Sequence, residues 1–141
     1  MRLKVVIEMD ESGFYVAEVP ALPGCLSQGK TLAQAKANIQ EAIKGWIEVM
    51  NAKVAKRHAH QTYQKRYRPW ASDSRSICSG AEAVKKFPRA GWSVDRQVGS
   101  HVMMVKSDYL YTLSISQHRE LGIGLLRKLM KQAQTYTGTI Q

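Results

Sequence analysis

The chain has 141 residues, 44% of them hydrophobic, with two cysteines and a formal net charge of +10 at pH 7. That length allows one ordinary domain or two very small ones, and that apolar content excludes general disorder. No apolar run approaches the roughly eighteen residues of a membrane span, and Cys25 and Cys78, without CxxC spacing, read as reduced thiols of a cytoplasmic protein. The charge is uneven: −1 over residues 1–50, +6 over 51–77 and +5 over 78–141. A basic C-terminal two-thirds points to a polyanion partner.

Leu3, Val5, Ile7 and Met9 alternate with Arg2, Lys4 and Glu8, the period of a half-buried strand rather than of a signal peptide. Asp10-Glu-Ser-Gly13 is a turn, and Phe14 to Val19 reads as the second strand of a hairpin. Pro20-Ala-Leu-Pro-Gly24 ends it, and Cys25 to Gln28 is long enough for one short strand. Thr31-Leu-Ala-Gln34 is a capping-box pattern. Apolar residues then recur at 32, 35, 39, 42, 43, 46, 47 and 50, one helix face held for several turns. The first unit is β-β-β-α over residues 1–50.

Residues 51–77 read as a frayed helix end and a basic linker, with Tyr63, Tyr67 and Trp70 among its cations. That mixture suits phosphate contacts and base stacking as well as a solvated tether. A flexible chain of this length spans roughly 25–30 Å, which would let the first unit cover the second. His58-Ala-His60 has no cysteine or acid placed beside it, so no metal site is expected there.

In residues 78–141 a second capping box, Ser79-Gly-Ala-Glu82, opens a short helix with Ala83, Val84 and Phe87 on one face, ended by Gly91. Strands are expected near 92–97, 100–105 and 109–115. A last helix carries Leu121, Leu125, Leu126, Leu129, Met130 and Ala133. This unit is α-β-β-β-α. Neither unit is large enough for a deep core, so each is expected to lean on the other or on a second copy, and a homo-oligomer is anticipated.

The strings Ser79-Gly80-Ala81-Glu82, Ala90-Gly91-Trp92, Arg96-Gln-Val-Gly-Ser-His101 and His118 to Ala133 resemble, in order, those of HicA toxins, small proteins that cut mRNA. The resemblance covers about residues 79–135 and implies a double-stranded-RNA-binding-like fold in which the Gly-Ser-His histidine, here His101, is catalytic. Pro20 to Thr31 and Asn38-Ile-Gln-Glu-Ala42 resemble HicB antitoxins over about residues 1–50. That implies a truncated RNase-H-like unit without catalytic carboxylates. The later strand and DNA-binding tail of many HicB-like chains are missing, which leaves operator DNA binding without a basis. Pro88 and Met103-Met104 also depart from the HicA pattern.

The chemistry follows from residue types. Histidine exchanges a proton near neutral pH at little cost, which suits His101 to attack of an RNA ribose 2′-hydroxyl on its own 3′-phosphate. Cations must then hold the developing charge on phosphorus, and Lys85, Lys86, Arg96 and Lys106 are the candidates. Ser100 and His118 are accessory candidates, although His118 reads first as capping or packing the loop before the last helix. The acids after residue 77 are scattered over separate elements, so neither metal nor cofactor is expected. The expected partners are RNA and the antitoxin-like unit itself, within or between chains. The rival readings are a non-catalytic RNA-binding module and an inert relic of a toxin–antitoxin pair.

Overall fold

The computed structural model describes residues 2–55, 79–86, 91–107 and 109–135. The first part forms strands Val6–Met9 (β1), Tyr15–Glu18 (β2) and Leu26–Gly29 (β3), then helix Leu32–Ala55 (α1). The second forms helix Gly80–Lys86 (α2), strands Ser93–Val98 (β4), His101–Val105 (β5) and Leu113–Ser116 (β6), and helix Ile123–Thr135 (α3). Each set of three strands is an antiparallel meander, ordered β1-β2-β3 and β4-β5-β6. The architecture is mixed α+β, with the element order expected from the sequence. Most of the basic linker, Cys78, the Phe87–Pro88 end of the first HicA-like helix, and Asp108 lie outside the described residues.

Both capping boxes form. The Thr31 hydroxyl accepts the Gln34 amide at 3.1 Å, and the Gln34 side chain accepts the Lys30 amide at 3.0 Å. Ser79 and Glu82 bond each other directly, the Ser79 hydroxyl accepting the Glu82 amide at 3.0 Å and the Glu82 carboxylate accepting the Ser79 amide at 2.8 Å, satisfying amides that the first turn of α2 leaves free. The last strand starts at Leu113 rather than near 109, because residues 109–111 turn. The Tyr109 amide bonds back to the Lys106 carbonyl, and the Lys53 ammonium at the end of α1 donates to the carbonyls of Tyr109, Leu110 and Tyr111. Met9 and Leu32, expected to point inward, sit exposed at the ends of their elements, where their neighbours no longer cover them.

The two sheets lie side by side through β3 and β6. The register of β2 and β3 turns the amide and carbonyl of Leu26 away from β2. Both are met by one side chain of β6: the Leu26 amide donates to the Ser114 hydroxyl at 3.1 Å, which donates back to the Leu26 carbonyl at 2.7 Å. The Ser114 amide also donates to the Gly24 carbonyl at 2.9 Å. Further along the same edge, the Asn38 amide group donates to the Gln28 carbonyl at 2.7 Å. An edge that would otherwise recruit another strand is thereby closed by hydroxyl and amide side chains.

Alternation along the strands sorts residues onto two faces. On one face, Val16 and Leu26 of the first sheet share a core with Val102, Met104, Leu113 and Ile115 of the second and with Leu121, Leu125 and Leu129 around α3. On the other face α1 buries Ala35, Ile39, Ala42, Trp46 and Val49, at alternating spacings of four and three. It packs on Ala17, Val19 and Cys25. Gly45 brings the same helix onto Met103, whose methyl group occupies the place a Cβ would take. Each small unit therefore completes its core with the other.

The first hairpin also caps the last helix. Asp10 accepts the amides of Ser12 and Phe14 through one oxygen and that of Gly124 in the first turn of α3 through the other, each at 2.9 Å. Gln28 accepts the Gly122 amide at 2.9 Å. Asp10→Ala should cost about 1–2 kcal/mol, the usual size of a lost N-cap, and Asp10→Asn should recover part of it. Denaturant midpoints of the three proteins measure this.

Candidate functional site

The β4–β5 connection is a two-residue turn, Gly99-Ser100, with Val98 paired to His101. Gly99 holds φ at +59°, a left-handed conformation that a side chain resists. A Cβ there would also collide with the carboxylate of Glu41, which reaches over from α1. The Gly-Ser-His string thus makes a tight turn and leaves room for a carboxylate beside it.

His101 opens β5 on the face turned to α1 and is fully buried. Its Nδ1 lies 2.9 Å from Glu41 Oε1, and its Nε2 lies 2.8 Å from the Ser27 hydroxyl of β3. Ser27 in turn lies 3.2 Å from the Ser116 hydroxyl. The same Glu41 oxygen accepts the Ser100 amide at 2.9 Å and the Ser100 hydroxyl at 2.6 Å. A carboxylate can only accept, so Nδ1 carries the proton. Nε2 of the neutral ring then accepts from Ser27, and Ser27 accepts from Ser116. The order hydroxyl, imidazole, carboxylate is that of a hydrolytic triad. Here Ser27 and His101 are both fully buried, so the arrangement acts as a clamp on the ring.

Electrostatics agree with a neutral ring. Burial lowers the His101 pKa from its ordinary 6.5, the Glu41 hydrogen bond and charge oppose that, and His118 adds to the lowering. Burial works to raise Glu41, but hydrogen bonds from Ser100 and His101 hold it below the usual carboxylate range. Burial lowers His118, which feels Glu41 and Lys30 in opposite senses. The signs combine. A histidine whose folded pKa is depressed binds its proton more readily when unfolded, so stability falls as pH drops below about 6.5. Glu41 contributes above its unfolded value, and that contribution is lost as pH falls through its folded one. The urea midpoint should therefore drop from pH 7.5 to pH 5.5, and His101→Gln should flatten the dependence.

The other expected site residues scatter. Arg96, on β4, holds Asp95 at 2.7 Å and faces Glu48 of α1 at 3.7 Å. Lys85 is exposed on α2, and the side chain of Lys86 lies outside the described residues. Lys106 is buried, with its ammonium 5.9 Å from the centre of the Trp92 ring, so it does not line an open surface. His118 is half-buried before α3, and its carbonyl accepts the Gly80 amide. A cleft of about 430 Å³ lies between the Pro20–Pro23 turn and Tyr109, Tyr111 and Gln132, away from these residues. Among the described residues no group of three His, Cys, Asp or Glu could hold a metal ion, and no helix is long and apolar enough to cross a membrane. His58 and His60, where no metal site is expected, lie outside the described residues.

Sequence reasoning missed Ser27 and Glu41. Each is an ordinary polar residue of its element, and they meet His101 across 74 and 60 residues of chain. No local pattern announces that meeting.

Comparison with known families assigns the two halves. The model for the HicB-like antitoxin of bacterial toxin–antitoxin systems matches residues 3–71, and that for the HicA toxin matches residues 80–135. The chain belongs to the HicB-like and HicA families, joined in that order. The HicB-like half is 47% identical over 64 residues to a UPF0150 protein of Thermoplasma acidophilum, covering 43% of this chain and 93% of the relative. A UPF0150 protein of Archaeoglobus fulgidus is 47% identical over 49 residues, 35% of this chain and 71% of the relative. One from Helicobacter pylori is 46% identical over 52 residues, 37% and 71%. No solved structure matches. In this light Ser27 and Glu41 are HicB-like residues, and the ring they clamp belongs to the HicA half.

Proposed function

We propose that the HicA half is a metal-independent endoribonuclease acting on mRNA through His101, and that the HicB-like half holds this activity off within the same chain. One observation carries the reading: both nitrogens of a fully buried HicA histidine are taken by HicB-like side chains, Ser27 at 2.8 Å and Glu41 at 2.9 Å. Ser27 presents an alcohol hydroxyl to Nε2, the same group that a ribose would present. With the halves parted, Nε2 takes the proton of the 2′-hydroxyl as the 2′-oxygen bonds to phosphorus. The bond from phosphorus to the 5′-oxygen breaks, a proton passes to that oxygen, and a 2′,3′-cyclic phosphate remains. The element orders support a truncated RNase-H-like first unit and a double-stranded-RNA-binding-like second one.

A second reading has its own support. Val16 and Leu26 share a core with Leu113 and Leu125 across the halves, which favours a pair that stays closed, as an inert relic would. The test is RNA cleavage by full-length protein whose α1 has been loosened from β5 through Glu41→Ala and Gly45→Leu, with and without His101→Ala.

A further inference from the structure

Residues 1–50 contain six acidic side chains, Glu8, Asp10, Glu11, Glu18, Glu41 and Glu48. Five of them are seated on the HicA half. Glu11 forms a two-pronged pair with Arg127 at 2.8 and 3.1 Å. Glu18 meets Lys128 at 2.7 Å, and Glu48 meets Arg96 at 3.7 Å. Asp10 takes the Gly124 amide at 2.9 Å, and Glu41 takes Ser100 and His101. These carboxylates come from the first hairpin, from β2 and from two turns of α1, so no single element explains their common direction.

Their partners are guanidinium, ammonium, hydroxyl and backbone amide groups, the set that also receives phosphate oxygens. Gly122 and Gly124 sharpen the match. A Cβ on either would lie 2.6 Å from an Asp10 side-chain atom, so glycine at both positions lets an anionic group reach the backbone at the start of α3. Arg127 and Lys128, one turn further on, flank the seated carboxylates with charge. Stability does not account for the outer pairs. Glu11 and Arg127 are 55% and 49% exposed, Glu48 and Arg96 42% and 36%, and ion pairs so exposed add little.

We infer that the HicB-like carboxylates occupy the phosphate positions of an RNA strand on the HicA half, so that Arg96, Arg127, Lys128 and the Gly124 amide are its backbone contacts. This rests on the reading of RNA as the substrate, and adds which side chains hold it and how the antitoxin competes for them. Arg127 and Lys128 stand outside the residues that the sequence singled out.

The experiment uses the full chain and a fluorescent single-stranded RNA of mixed sequence, titrated across salt. Glu11→Gln, Glu18→Gln and Glu48→Gln together should raise affinity about tenfold or more and steepen the slope of log K against log salt by about two, three contacts at ~0.7 each. Adding Arg96→Gln, Arg127→Gln and Lys128→Gln should erase the gain. Adding Lys4→Gln, Lys36→Gln and Lys44→Gln, equal in charge and exposed on the HicB-like half, should leave most of it. No gain, or equal loss from both sets, overturns the inference. Circular dichroism melts confirm that each variant is folded. Cleavage is scored separately in the chain loosened by Glu41→Ala and Gly45→Leu. Binding that follows the expected pattern without cleavage there removes the nuclease reading and leaves the phosphate contacts. Cleavage there without that binding pattern does the reverse.

Discussion

Full-length protein carrying Glu41→Ala and Gly45→Leu should cleave single-stranded RNA, and adding His101→Ala should slow that cleavage by about 10²–10⁴-fold, the range for a placed acid–base group. Both substitutions lie on α1, four residues apart and so on one helix face. The first removes the oxygen that holds His101 Nδ1 and the Ser100 amide and hydroxyl. Hydrogen bonds to a charged group are worth about 1.5–3 kcal/mol each. The second drives a branched side chain into the Met103 methyl group, which already fills the space beside Gly45. Nothing in the HicA half is altered, so activity that appears belongs to residues already there. The products should end in 2′,3′-cyclic phosphate, and EDTA should leave the rate unchanged. Unaltered protein should be inactive by comparison, because its histidine is buried and both ring nitrogens are occupied. A loosened, folded chain that binds RNA without cutting it would show a non-catalytic binding module. Cleavage indifferent to His101→Ala would remove the mechanism.

Leu26→Ala should destabilise the whole chain by about 2–5 kcal/mol, the range for emptying a fully buried leucine site. Leu26 is 1% exposed and belongs to the core that also holds Leu113, Ile115, Leu125 and Leu129. Its own amide and carbonyl join the two sheets through Ser114. A change in the HicB-like half should therefore be felt equally in the HicA half. Trp46 on α1 and Trp92 before β4 report on the two halves, and in a Trp70→Phe background Trp46→Phe and Trp92→Phe separate their fluorescence. In urea the two signals should move together, and Leu26→Ala should shift both midpoints by the same amount. If Trp46 alone responds, the halves are independent domains and the shared core does not couple them.

How much of this was legible in the sequence depends on range. Thr31 with Gln34 and Ser79 with Glu82 lie three residues apart, so their capping bonds follow from local geometry alone. The strand and helix periods marked which side chains turn inward, and His101 was singled out by the HicA resemblance of the six-residue string Arg96 to His101. The onset of β6 was misplaced because residues 109–111 are held by Lys53, more than fifty residues earlier in the chain. Lys106 carried a charge that suggested a surface contact, yet its long stem lies buried and its ammonium stands over the Trp92 ring.

What the sequence determined by itself is the inventory: two α+β units in a stated order, a basic second unit, and one histidine on a strand, directly after Gly99 and Ser100. Those properties rest on periodicity, capping and composition, which act between neighbours in the chain. Only the tertiary structure decided what the histidine touches, which strands share an edge, and where the acids of the first unit go. Those depend on contacts between residues 60 to more than 100 positions apart, such as Glu41 with His101 and Asp10 with Gly124. A side chain's type states what it can bind, but the packing of two half-sized cores against each other selects which partner comes within reach.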